Sequence, residues 1–275
     1  MRRLLLLGFL LAHQLASFAL RPEREWASTP DSLGLPYQTL TLGTPDHAQL
    51  ATWVVEPAAQ AADQHTTLVL AYGDAGNMGN WVHAARALAA AGYRVYLFDY
   101  RGFGHSSEFA IDPARLYYQE FATDLRTVLA DARQRYPHSR TGVLGFSMGT
   151  ILGSEVAAAH QCDFFVAEGY VADPQQTVAA IYRRKQKVVT LPAEASAYPQ
   201  LAARIQCPWL LLAGTQDENT PLADSAAVVR AAGRGQRRQL VTFKGGHGAG
   251  LTILSNKAYG DLYVQAIRRF LVAKS

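Results

Sequence analysis

Two hydrophobic rhythms follow one another along this chain. Residues 37–42 and 49–55 alternate apolar and polar positions with a period of two. Between them Gly43-Thr44-Pro45-Asp46-His47 carries turn chemistry, so the two segments are expected to pair as an antiparallel hairpin. After that, short solid apolar runs take over, at 67–72, 93–98, 141–144, 164–168, 209–213 and 239–243. They read as buried strands. The stretches between them read as helices: 81–91 stopped by Gly92, 119–136 closed by Pro137, a small-residue helix over 150–159, and an amphipathic one over 259–271. Solid apolar strands alternating with helices imply an α/β fold, its mostly parallel sheet covered on both faces and its crossovers right-handed.

Three segments break the pattern. Residues 20–36, rich in proline and charge, read as an exposed lead-in to a domain over 37–275. Between Gly169 and Cys207 the chain is far longer than a crossover needs; 173–187 looks helical, and 191–199 is loop-like with Pro192 and Pro199. Such an insertion is expected to carry structure or function, and about 172–205 reads as a small cap. Residues 1–19 read as a targeting segment. Arg2 and Arg3 precede an apolar run from Leu4 to Leu15, and Ser17-Phe18-Ala19 offers small residues for cleavage after Ala19. The run is short against the roughly 20 residues of a spanning helix. A cleaved signal peptide is therefore favoured over an uncleaved membrane anchor. The protein is expected to be exported, periplasmic or secreted, or else held at a membrane by that segment.

Composition adds little. The chain of 275 residues is 49% hydrophobic, enough for one full-sized core, and its formal net charge of +4 includes Arg2 and Arg3. No basic run is interleaved with aromatics, so nucleic-acid binding has no support. Arg183-Arg184-Lys185-Gln186-Lys187 is either a solvated helix face or a patch for anionic lipid or acidic substrate. Cys162 and Cys207 each stand just before an apolar run ending in glycine, which puts them near one end of neighbouring strands. They read as two small buried hydrophobes, with a disulfide as the alternative in an exported protein. No metal-ligand cluster or phosphate loop appears, so no cofactor is expected.

The chemistry centres on Gly145-Phe146-Ser147-Met148-Gly149, which lies between an apolar strand and a small-residue helix. That setting forces a serine onto a sharp turn with its hydroxyl exposed. A serine hydroxyl is a poor nucleophile without a base, and the base needs an orienting acid. After Ser147 the histidines are His160, at the far end of the following helix, and His247, in Gly245-Gly246-His247-Gly248 directly after the last strand. His247 is the candidate base. Asp217 follows a strand and precedes a helix that Pro221 can start, which makes it the candidate acid; Glu168, at the end of the preceding strand, is the alternative. Backbone N–H groups of Met148 and of Asp74, in the loop after the first buried parallel strand, are the candidate oxyanion donors. His105 and Ser106 are nearly adjacent and lack the turn, so they receive no catalytic role. Asp99 and Arg101 read as pins between loops.

Together, Tyr72-Gly73-Asp74-Ala75-Gly76-Asn77, Asp99 to Ser106, the serine pentapeptide, Gly214 to Asp217 and Gly246-His247 resemble, in order, the motifs of the α/β-hydrolase superfamily. The similarity spans about residues 37–273 and is nearest the monoacylglycerol-lipase-like and serine-aminopeptidase-like branch. Tyr72 stands where that branch usually has histidine. The resemblance implies an eight-stranded, mostly parallel sheet and a serine hydrolase acting on a small-molecule acyl substrate. Carboxylic esters are favoured, with peptides and thioesters as alternatives, and a non-catalytic binding protein on the same scaffold as the reading from another class.

Overall fold

The computed structural model describes residues 19–273. The expected signal segment, apart from Ala19, lies outside them. In chain order the elements are β1 (Arg21–Pro22), β2 (Tyr37–Gly43), β3 (Gln49–Val55), β4 (Thr66–Ala71), β5 (Ala75–Gly76), α1 (Val82–Ala90), β6 (Arg94–Phe98), α2 (Gln119–Arg135), β7 (Arg140–Phe146), α3 (Met148–Ala158), β8 (Phe165–Glu168), α4 (Pro174–Lys185), α5 (Leu201–Arg204), β9 (Trp209–Gly214), α6 (Leu222–Arg230), β10 (Arg238–Phe243), α7 (Gly250–Ile253) and α8 (Asp261–Val272). Eight strands form one sheet in the order β10-β9-β8-β7-β4-β6-β3-β2. The hairpin β2–β3 is antiparallel, with Leu42 opposite Leu50, and β3 is antiparallel to β6. The other five pairings are parallel.

β4, β8 and β9 are buried at every position, and β7 at every position after Arg140. Both faces of this central part are covered by helices, so its strands carry solid apolar runs, whereas the edge strand β2 is exposed or half-buried at all but one position. Two internal ion networks tie the loops to this core. Arg101 donates from Nε and Nη2 to Asp124 at 2.9 and 2.7 Å and reaches Asp46 from Nη1 at 2.6 Å. Asp99 accepts from the Trp26 indole at 2.7 Å and the Met78 N–H at 2.8 Å. Ser106 Oγ donates to the Asp99 carbonyl, and His105 stacks on Trp26. Cys162 and Cys207 are free thiols just before β8 and β9, close enough that the ionisation of each responds first to the other.

The lead-in departs from the sequence reading. Its side chains are mostly exposed, but its backbone is bound to the domain. β1 runs parallel to β5, with the Arg21 N–H donating to the Asp74 carbonyl at 2.8 Å. Asn77 Nδ2 donates to the carbonyls of Glu23 and Glu25, and Leu20 is fully buried. The hydrophobic pattern missed this attachment because it is made by main-chain groups and one indole rather than by an apolar stripe.

Candidate active site

Five strand ends converge on one cleft: β4, β7, β8, β9 and β10 all point their carboxyl ends at it, where open α/β sheets place their ligands. β7 ends at Phe146 and α3 begins at Met148, leaving Ser147 as the single residue of the turn. Ser147 has φ 49° and ψ −116°, a conformation that costs a non-glycine residue about 1–3 kcal/mol. The turn exists only because its neighbours are glycines. A Cβ on Gly149 would lie 1.9 Å from the Ala71 carbonyl oxygen, and one on Gly145 would lie 2.9 Å from the Gly149 oxygen. A Cβ on Gly73 would lie 3.6 Å from that of Ser147, so the loop after β4 runs beside the serine.

Ser147 Oγ lies 2.8 Å from His247 Nε2, and His247 Nδ1 lies 2.8 Å from Asp217 Oδ2. An ionised carboxylate only accepts, so Nδ1 carries the proton and Nε2 is left to accept from the serine hydroxyl. Asp217 is itself held by the N–H groups of Asn219 and Thr220 at 2.8 and 2.9 Å and by Thr220 Oγ1 at 2.7 Å. Burial pushes its carboxyl up, but the hydrogen bond and charge of His247 and the Thr220 donors outweigh this and hold it below the ordinary value. For His247 burial pulls downward, yet the bond to Asp217 and its charge raise the imidazole above its ordinary value. Thr220 was not singled out in the sequence; a hydroxyl three residues after the acid, before Pro221, was the available signal.

Glu168 does not join this chain. It is buried at the end of β8, and its Oε1 accepts the Gly250 N–H at 2.7 Å, beyond the histidine loop. Burial, only partly offset by that bond, pushes its carboxyl up to about 7. Its Oε2 and the hydroxyl of buried Tyr263 make no hydrogen bond of good geometry, yet that hydroxyl is near enough to pull the carboxyl's proton affinity down against burial. His160 is exposed beyond the end of α3.

Met148 opens α3, where the first N–H groups of a helix have no partner within it. Met148 and Asp74 line the same cavity as Ser147 and His247. This cavity, of about 310 Å³, is bounded from α4 and the residues after it by Thr177, Ile181 and Val189. A second cavity of about 410 Å³ lies beyond Arg21, bordered by Trp81, Gly248 and Tyr259. Among the described residues no group of three or more His, Cys, Asp or Glu is placed to hold a metal ion, and no helix is long and apolar enough to cross a membrane.

A sequence model of the α/β-hydrolase fold matches residues 66–166, the stretch from β4 to β8 that includes the serine turn. The fold is also that of an esterase from Pyrococcus furiosus, which superposes with a TM-score of 0.73 at 19% identity, over 92% of this chain and 96% of that one. The chain has the α/β-hydrolase fold. Among curated proteins, this chain is 25% identical to an uncharacterized membrane protein of Saccharomyces cerevisiae, over 72% of this chain and 69% of that one. It is 38% identical to a monoacylglycerol lipase of Mycolicibacterium smegmatis, over 87 residues that make up 32% of this chain and 30% of the lipase.

Proposed function

We infer that this protein is a serine esterase, and the unbroken line Ser147 Oγ, His247, Asp217, with both links at 2.8 Å, carries the inference. Ser147 Oγ attacks the carbonyl carbon of a carboxylic ester while His247 Nε2 accepts the hydroxyl proton. Asp217 keeps the imidazole in the tautomer that can do so and stabilises the imidazolium. The Met148 and Asp74 N–H groups receive the oxyanion. His247 returns the proton to the departing alcohol, and water, activated by the same imidazole, releases the acid from the acyl-enzyme.

The strain at Ser147 argues against a purely binding role, because a costly backbone conformation persists where exposing the hydroxyl has a use. Esters are favoured over peptides and thioesters by the partial match to a monoacylglycerol lipase. Residues 172–205 act as the cap, with α4 as one wall of the cleft.

The test is labelling with a fluorophosphonate and turnover of 4-nitrophenyl butyrate. Both should be present in the native protein and absent in Ser147→Ala. A folded protein that neither labels nor hydrolyses would sink the assignment.

The N-terminal segment is further proposed to direct export, with cleavage after Ala19. Because Leu20 is fully buried in the folded domain, cleavage would have to precede folding. An intact mass that retains residues 1–19 in the membrane fraction would refute cleavage.

A further inference from the structure

The cavity beside Ser147 has a mixed lining. Leu116, Met148, Ile151, Val171, Ile181 and Val189 supply its apolar part. Arg21, Arg184, Lys185 and Lys187 also line it, against one carboxylate, Asp74. Arg184 is already engaged, donating to the Glu218 carbonyl at 2.8 Å and to Asn219 Oδ1 at 3.1 Å. Among the described residues, Arg21, Lys185 and Lys187 form no ion pair with a carboxylate.

A row of cations at the last turn of α4 has an ordinary explanation, since positive charge is favourable at a helix C-terminus. That accounts for Arg183, Arg184 and Lys185. It does not account for Lys187, which lies beyond the helix and is half-buried, or for Arg21, which arrives from the other end of the chain on β1. Burial holds the Lys187 ammonium below the ordinary lysine value; Lys185 and Arg21 push it the same way and Asp74 opposes them. Like charges gathered around one cleft repel each other unless something anionic is placed among them.

We propose that Arg21, Lys185 and Lys187 form a subsite for an anionic group, phosphate or carboxylate, on the substrate ester, whose apolar portion lies among the apolar residues of the same cavity. The site then selects small amphiphilic anionic esters over neutral ones. This rests on the esterase reading above and adds the substrate class to it.

The test compares 1-butyroylglycerol with 1-butyroylglycerol 3-phosphate and with 2-butyroyloxyacetate, all soluble, using the purified protein at low salt. The kcat/KM for at least one anionic ester should exceed that for the neutral one by about tenfold, the size expected for a charge-assisted contact. The two anionic arms tell phosphate from carboxylate. In the triple variant Arg21→Gln, Lys185→Gln, Lys187→Gln the ratio should collapse towards one. Lys185→Arg with Lys187→Arg should keep it, and added salt should reduce it.

Equal ratios in the native and triple-variant proteins overturn the proposal. A preference that appears only when substrate is presented on anionic vesicles assigns the patch to a membrane surface and overturns it too. Turnover of the neutral ester, lost in Ser147→Ala, reports the esterase reading separately. Should no ester turn over, calorimetric binding to Ser147→Ala still decides, because the anionic ester must bind about tenfold tighter than the neutral one.

Discussion

Replacing Glu168 by glutamine should make the protein more stable at pH 8 and leave it nearly unchanged at pH 4.5. The carboxyl is almost fully buried, and its proton is held up to about 7, against an ordinary 4.5. Between those two values the folded chain keeps a proton that the unfolded chain has released. Stability from this group is therefore present below about 4.5, falls as pH rises through the window, and levels off above about 7. The gap corresponds to a cost of up to about 3 kcal/mol at pH 8. Glutamine has nearly the same shape and never ionises. Its oxygen can accept the Gly250 N–H, and its amide can donate to the Tyr263 hydroxyl, which makes no bond of good geometry to the carboxylate. Urea unfolding of both proteins at pH 4.5, 6 and 8 isolates the effect, since all other titrating groups cancel in the difference. A gain of about 1–3 kcal/mol at pH 8 that vanishes at pH 4.5 is expected. A difference that does not vary with pH, or a loss at pH 8, would show that Glu168 is stabilised as a carboxylate and refute the reasoning.

Three further outcomes are expected. Esterase activity should fall as pH drops below a midpoint above 6.5, because the base must be neutral and Asp217 raises its affinity for the proton; Asp217→Asn should move that midpoint down and lower kcat by about 10³–10⁴, read from pH–rate profiles. Gly149→Ala drives a methyl group to within 1.9 Å of the Ala71 carbonyl oxygen, where only backbone can yield; it should cost about 1–3 kcal/mol in chemical denaturation and slow fluorophosphonate labelling, since the displaced strand end carries the Gly73-Asp74 loop. Arg101→Met leaves buried Asp124 uncompensated and should destabilise by about 3–5 kcal/mol, much of it recovered by adding Asp124→Leu, again by denaturant midpoints.

The parallel strands were legible because burial on both faces turns each into an unbroken apolar run, so 67–72 and 209–213 were placed to within a residue. The serine turn was legible because sterics leave glycine alone at Gly145 and Gly149. Asp217 and Glu168 could not be fully separated by reading, as both follow strands that end beside His247; only the orientation of the imidazole, 2.8 Å from one of them, distinguishes them. Lys187 was visible merely as part of a basic run, because whether a cation faces solvent or a cleft depends on how the chain leaves α4. The attachment of residues 20–26 was illegible for another reason: its hydrogen bonds come from peptide groups, which every sequence possesses.

That attachment bears on how the protein is handled. A boundary drawn at the first clear strand would start an expressed fragment at Tyr37. Such a fragment would discard the Arg21 pairing to Asp74, the indole clasp on Asp99, and one side of the cleft. Its eight-stranded sheet would be complete, and assays on it would miss the activity proposed here for the longer chain.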